Sequence, residues 1–283
     1  MHLAGIALAH GREVHAEAIL RWTDWRLDPS VALGLALLAW AYRRASTRFA
    51  VEKRRAAAFW AGLLAIFVAL ESPLDRGGDH FLFTLHMIQH SLLMTVAAPL
   101  LAVATPPEAI VWARRIHRAA GAVIGWVSRG VPGFAVYNLG LVLWHLPALY
   151  EAALRSEAVH LAQHVSFLLL AYLFWVAILG EPGSMGPPAP VRLALVAGSM
   201  VVNWALSFTL ALAGRPIYPT YAEAPRLWGL DPEADLALGA GLMWEMGNMA
   251  YGVAAVLLLR RYLKRDVARL GAGETVEGPQ AAE

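Results

Sequence analysis

The sequence predicts an all-α membrane protein with seven transmembrane helices, and two observations lead to this fold class. Hydrophobic residues make up 58% of the 283 residues, and the mean hydropathy of +0.51 is well above that of ordinary soluble domains. The charged residues are clustered, and the segments between them approach the ~20 residues that a helix needs to cross a bilayer. Backbone groups in lipid must be satisfied internally, so these spans are helices. A large soluble α-protein is the alternative, but seven apolar runs leave too little polar surface for it.

We expect the spans in seven apolar runs, at about 29–42, 57–74, 81–104, 131–146, 158–179, 189–213 and 236–259. Alternate connecting segments carry 16 and 7 of the Lys and Arg residues. The positive-inside rule therefore places the N-terminus outside and the C-terminus in the cytoplasm. The predicted domains are an outer tail over 1–28, a membrane domain over 29–262 and a disordered cytoplasmic tail over 263–283. The pI of about 9.0 arises from these flanks, so the predicted partner is the lipid bilayer and not a nucleic acid.

Histidines in and beside the apolar runs are the strongest functional signal. His86 and His90 are four residues apart, as are His160 and His164, while His145 ends the fourth run. On a helix this spacing stacks both rings on one face, within reach of one metal ion. The predicted orientation puts all five in the outer half of the membrane. Because polar groups there are costly, their convergence predicts a metal site.

Three further side chains are candidates to support that site. Glu245 lies about midway down the last span and is a candidate to orient a histidine by a hydrogen bond. Met94 continues the face of His86 and His90, and Met243 is a second thioether in the last span. The sequence has no cysteine, so a thiolate site is impossible. Imidazole suits copper, zinc and iron, while thioethers favour Cu(I). Copper, as Cu(I), is the first candidate, and the ligand types alone do not separate it from zinc or haem iron.

Four sequence motifs are distinctive. They read His86-Met-Ile-Gln-His90-Ser-Leu-Leu-Met94-Thr-Val-Ala-Ala-Pro99, Leu143-Trp-His145-Leu-Pro147-Ala-Leu-Tyr150, His160-Leu-Ala-Gln-His164, and Tyr218-Pro-Thr-Tyr221 followed by Pro225-Arg-Leu-Trp228-Gly-Leu. In order, between about Trp22 and Leu259, the chain resembles the CtaG-type assembly factors of caa3-type cytochrome c oxidase. The resemblance implies a multi-pass protein of the bacterial plasma membrane that is not an enzyme. It also implies a role in oxidase assembly and copper supply, with oxidase subunits as partners.

Two other functions stay open at this point. A haem-binding membrane electron carrier would use His90 and His164 as axial ligands. A metal-dependent intramembrane enzyme would use Glu245 as a general base beside a metal-bound water. A retinal light sensor is excluded, because the only lysines, Lys53 and Lys264, flank the spans. The oligomeric state does not follow from the sequence.

Overall fold

The computed structural model describes residues 20–116, 118–127, 129–180 and 186–271, and the regular structure within these ranges is entirely helical. We number the helices α1 Pro29–Ser46, α2 Lys53–Glu71, α3 Pro73–His80, α4 Phe83–Ser91, α5 Ala98–Ala104, α6 Pro107–Ile116, α7 Arg118–Val127, α8 Val131–Trp144, α9 Pro147–Arg155, α10 Glu157–Leu179, α11 Ala189–Ala211, α12 Pro219–Glu223 and α13 Pro232–Gly271. A π-helical turn, Leu92–Ala97, joins α4 to α5. The all-α prediction is confirmed for these ranges.

Within the described ranges, four helical segments are long and apolar enough to cross a membrane: Phe83–Ala104, Glu157–Leu179, Ala189–Ala211 and Pro232–Lys264. A fifth is added if α2 and α3, which meet at a bend of 44°, form one broken span. The two remaining predicted runs form α1 and the shorter apolar helix α8. Every predicted run is therefore helical, and the described residues contain four to five candidate membrane-spanning helices.

The helices carry their polar side chains inside and many of their large apolar ones outside. Leu139, Val165 and Val201 lie in the middle of helices and are each more than half exposed. Asn138 and Asn203, on two of the same helices, are buried. A soluble protein shows the opposite preference. This arrangement is expected when apolar lipid surrounds the bundle and polar groups pair between helices.

The packing of α10 organises the bundle, because this helix contacts α5, α8 and α9. Elsewhere α11 lies along α13, and α13 along α4. The largest apolar core contains Tyr137, Phe174, Trp175 and Tyr251. The hydroxyls of Tyr137 and Tyr251 bond each other at 2.9 Å inside it. At one end of this core Arg192 is 3% exposed and donates to backbone carbonyls that follow or end α10.

The π-helical turn has a local cause in the sequence. Pro99 has no N–H to give to the preceding turn, and its ring crowds the carbonyl four residues back. The N–H of Ala98 bonds the carbonyl of Leu93, five residues earlier. The indole N–H of Trp175 donates to the carbonyl of Met94 at 2.9 Å, so the widened turn keeps this carbonyl paired. Such single π-helical turns are frequent at functional sites.

The connection between α11 and α13 folds back into the bundle. Three aromatic residues of this connection are Tyr218, Tyr221 and Trp228, and the two tyrosines are only 1% and 3% exposed. Only Trp228 of the three is on the surface, at 63% exposure, with a φ of 55°. The buried tyrosines bring this connection into contact with the histidine helices.

The predicted domain bounds can be compared with the structure at both ends of the chain. The last helix continues to Gly271, past residue 262 where the membrane domain was predicted to end. Most of the predicted outer tail, 1–19, and of the predicted cytoplasmic tail, 272–283, lies outside the described residues.

Candidate metal centre

Four histidines from two helices meet inside the bundle. His86 and His90 come from α4, His160 and His164 from α10, and one nitrogen of each lies within 4.8 Å of the others. The i, i+4 spacing on each helix puts both rings of a pair on one face, and the two faces oppose each other. A tetrahedral site with metal–nitrogen bonds of about 2.0–2.1 Å needs nitrogens roughly 3.4 Å apart. The observed spacing, within 4.8 Å, would have to adjust to this value when a metal binds.

These imidazoles are buried and incompletely hydrogen-bonded. His86 is 0% exposed, His90 3% and His164 8%, while His160 is half-buried. The Nε2 atom of His164 has no hydrogen-bond partner among the described residues, and that of His160 makes no hydrogen bond there although the carboxylate of Asp79 is 3.4 Å away. A buried polar atom without a partner costs about 1–3 kcal/mol, so such atoms in a native protein need an explanation. A bound cation would supply one.

His86 is held in a defined orientation by the connection before α13. Its Nδ1 lies 2.7 Å from the hydroxyl of Tyr221, and that hydroxyl donates to the carbonyl of Gly78 at 2.6 Å. Burial raises the pKa of Tyr221 well above its ordinary value, which keeps the phenol proton in place. Since this single proton goes to the carbonyl, Nδ1 of His86 must be the donor to Tyr221. The Nε2 of His86 is then unprotonated and presents a lone pair to its neighbours.

Close approach of α3 to α4 makes this contact possible. A Cβ at Gly78 would lie 2.9 Å from both the backbone N and the Cα of His86, a separation that real Cβ atoms do not show. Glycine at this position therefore lets the two backbones touch. The contact brings the Gly78 carbonyl to Tyr221.

An open pocket lies beside the histidines. Its volume is about 430 Å³, and its lining includes four carboxylates and two of the four imidazoles: Asp28, Asp75, Asp79, Glu157, His160 and His164. The carboxylate of Asp79 lies 3.4 Å from Nε2 of His160, and that of Asp75 accepts from the Gln89 amide at 2.6 Å. Arg26 is a single basic residue in the same lining. A concave surface with an excess of carboxylates concentrates cations.

Comparison with known proteins identifies the family. The model of the cytochrome c oxidase caa3 assembly factor family matches residues 36–265. The chain belongs to this family. It is also similar to uncharacterized proteins of Mycobacterium bovis and Mycobacterium tuberculosis, at 23% identity over 269 residues in each case. An uncharacterized protein of Mycobacterium leprae is 22% identical over 271 residues.

These matches cover most of this chain but less than half of each relative. The alignments cover 86–87% of this chain but 40% of each mycobacterial protein, so the chain spans about two fifths of the length of the curated relatives it matches. The comparison with solved structures found no match to this chain.

The other predicted site residues of this assembly-factor chain lie apart from the four histidines. His145 is 4% exposed, and its Nδ1 bonds the carbonyl of Leu141 in its own helix at 2.7 Å. Met94 and Met243 are buried and line a small separate cavity with His90 and His145. Glu245 is exposed on α13, so its carboxylate does not reach the buried imidazoles.

Sequence reasoning missed several residues at this centre. Asp75 and Asp79 are four residues apart on α3, a spacing that a helical interpretation would have placed on one face. The predicted runs 57–74 and 81–104 instead leave residues 75–80 as a connection between two spans. Tyr221 stands in one of the four motifs, but its contact with His86 spans 135 residues of sequence. Nothing in the local pattern indicates that contact.

Proposed function

We propose that this caa3 assembly factor binds Cu(I) at its four clustered histidines and supplies it to a subunit of cytochrome c oxidase. The observation that carries the proposal is the meeting of four imidazole nitrogens within 4.8 Å. Neutral imidazole is a good ligand for copper, and the carboxylate-lined pocket offers a route for a cation to His160 and His164. Membership of the family supplies the oxidase.

We further propose seven spans with the N-terminus outside, which would open the pocket to the outer compartment. The basic residues support this orientation. Arg43 and Arg44 end α1, Lys53 begins α2, and Arg261 lies near the end of α13, whereas the histidines lie near the first residues of α4 and α10. The positive-inside rule then puts the histidines at the outer side. Reporter fusions after Arg48 and after Lys264 should both report cytoplasm; an outer signal from either contradicts this topology.

The packing of the rings favours a bare ion over a haem. The Nε2 atoms of His86 and His90 are 2.8 Å apart, and the His164 ring lies 5.3 Å from the His90 ring, between centroids. A haem plane between His90 and His164 would have to displace the other two imidazoles. The electron-carrier alternative therefore has less support than copper binding.

Metal analysis of the purified full chain tests the copper site. We expect copper without a Soret band, and we expect His86→Ala with His90→Ala to remove most of it. Alanine favours the helix at both positions, so α4 should still insert. His80→Ala is the matched control, because His80 is exposed and lies outside the group of four. Full copper retention in the double variant, or a Soret band in the parent, would contradict the proposal.

The proposed cellular role is tested by measuring the activity of cytochrome c oxidase. Deletion of the gene should lower cytochrome c oxidase activity in membranes under copper limitation. Added copper should restore part of it, because mass action can load a weak target when free metal is raised. Normal oxidase activity in the copper-limited deletion strain would contradict a role for this protein in supplying copper.

A further inference from the structure

A small cavity lies next to the four histidines, and His90 is part of its lining. Its volume is about 20 Å³, and a cavity needs roughly 10–15 Å³ to hold one water molecule. It therefore has room for one water or one ion. Its lining includes two imidazoles and three thioethers: His90, His145, Met87, Met94 and Met243.

Both imidazoles have an unused nitrogen. Nε2 of His145 and Nδ1 of His90 are buried and have no hydrogen-bond partner among the described residues. For His145 the protonation follows from its other nitrogen. Nδ1 is 2.7 Å from the carbonyl of Leu141, which can only accept, so Nδ1 carries the proton and Nε2 carries a lone pair.

For His90 the same conclusion follows through a chain of hydrogen bonds. The Gly78 carbonyl takes the proton of Tyr221, so His86 donates from Nδ1 to Tyr221 and has a lone pair on Nε2. That lone pair faces Nε2 of His90 at 2.8 Å, and one of the two nitrogens must donate. His90 is therefore protonated on Nε2, which leaves the lone pair on its Nδ1.

The polar groups around the cavity do not satisfy these lone pairs. The hydroxyl of Thr95 donates to the carbonyl of Ser91, the hydroxyls of Tyr137 and Tyr251 bond each other, and the amide of Asn203 donates to the carbonyl of Met243 at 3.4 Å. None of these described hydrogen bonds reaches either imidazole nitrogen. Imidazole nitrogens beside thioether sulfurs suit a soft cation, and thioethers select Cu(I) over harder divalent ions.

We infer that this cavity is a second Cu(I) site, with His90 Nδ1, His145 Nε2 and the sulfurs of Met94 and Met243 as its ligands. It deepens the proposed function and rests on it only in the identity of the metal. His90 belongs to both groups of residues. As a neutral ring it can ligate at one nitrogen only, so when both sites are filled His90 holds the inner ion and His86, His160 and His164 hold the outer one. An ion passing inward leaves Nε2 for Nδ1 while the ring proton moves from Nδ1 to Nε2, and no oxidation or reduction accompanies the exchange.

Anaerobic titration of the detergent-purified full chain with Cu(I), against a competing chelator, tests the second site. We expect two bound ions, with sulfur scattering in the X-ray absorption spectrum of the loaded protein. Met94→Leu with Met243→Leu should remove one ion and the sulfur signal. These substitutions nearly conserve volume, so they should cost little stability. Met249→Leu is the matched control, because Met249 is 56% exposed on the same helix as Met243.

The outcomes separate the two sites. One bound ion with nitrogen ligands only, unchanged in the Met94/Met243 variant, would mean that the cavity holds a water, and it would overturn the second site alone. A sulfur-ligated ion that persists in His160→Ala with His164→Ala, without a nitrogen-only ion in the parent, would support the second site and overturn the four-histidine site. No bound copper in the parent would overturn both.

Discussion

The two ends of the bundle treat buried polar groups in opposite ways. At one end the guanidinium of Arg192 donates to the carbonyls of Ile178, Gly180 and Pro187. At the other end four histidine nitrogens are buried without a hydrogen-bond partner in the described part of the chain, on His90, His145, His160 and His164. The same fold therefore pairs the buried guanidinium at one end and leaves buried imidazole nitrogens without a hydrogen-bond partner at the other.

This difference between the two ends predicts that one end contributes mainly to stability and the other mainly to metal binding. Hydrogen bonds from a buried cation to carbonyls are strong, and removing the donor leaves each acceptor unsatisfied. Buried nitrogens without a hydrogen-bond partner cost stability in the metal-free protein, and a bound cation would offset that cost. We therefore expect substitutions at the arginine end to change stability and not metal affinity, and substitutions at the histidine end to do the reverse.

The largest effect on stability should come from Arg192→Leu. Several carbonyls lose their donor, and with about 1–3 kcal/mol for each unsatisfied group the loss is roughly 3 kcal/mol or more. Thermal unfolding in detergent measures it. Arg215→Leu is the control, because Arg215 is exposed. Copper bound per folded molecule should not change; unchanged unfolding in the Arg192 variant would break the comparison.

The largest effect on metal binding should come from His164→Ala. We expect a loss of copper affinity beyond the roughly 10–100-fold seen when only an orienting group is removed, with a smaller loss of stability than at Arg192. Chelator competition gives the affinity. Gln163→Leu is a neighbouring control, since Gln163 is 0% exposed and its amide atoms have no partner in the described ranges. Equal affinity losses in both variants would point to general disruption of α10.

An intermediate effect is expected for Tyr221→Phe. The hydroxyl fixes the tautomer of His86 without being a ligand, so copper affinity should fall by roughly 10–100-fold. Tyr218→Phe is the comparison, because the Tyr218 hydroxyl donates to the carbonyl of His145 at 2.8 Å and does not touch His86. A weaker effect for Tyr221→Phe than for Tyr218→Phe would contradict the orienting role.

The smallest effect is expected for Glu245→Gln. Its side chain is exposed, away from both groups of histidines, so copper content and oxidase activity in complemented cells should match the parent. A loss of activity with copper retained would instead favour the enzyme alternative, in which this carboxylate is a base.

The helices could be predicted from the sequence because their signal is local. Apolar runs between clustered charges located all seven segments, and the i, i+4 histidine pairs on α4 and α10 indicated shared faces before the structure was known. What could not be predicted is rotation about the helix axis. Glu245 was placed at a suitable depth, but depth does not give the direction of a side chain, and α13 turns it outward.

Contacts between distant segments were equally hidden. The hydrogen bond between Tyr221 and His86 and the opening of Asp75 and Asp79 onto the pocket depend on how α3 and α12 fold back, and both elements are short. The separation of His145 from the four-histidine group has a similar origin. Its helix ends beside the small cavity, and the carbonyl of Leu141 fixes its ring.

The π-helical turn allows one helix to serve both ends of the bundle. Such a turn is equivalent to one extra residue in an α-helix, and one residue corresponds to about 100° of rotation. The part before the turn aims His86 and His90 at α10, and the part after it aims Ala98 and Ala102 into the aromatic core. The direction of the histidines before the turn is therefore independent of the direction of the alanines after it. Deleting one residue from Leu92–Ala97 would restore a continuous α-helix. Either the histidines would then turn away from α10, or Ala98 and Ala102 would turn away from the aromatic core.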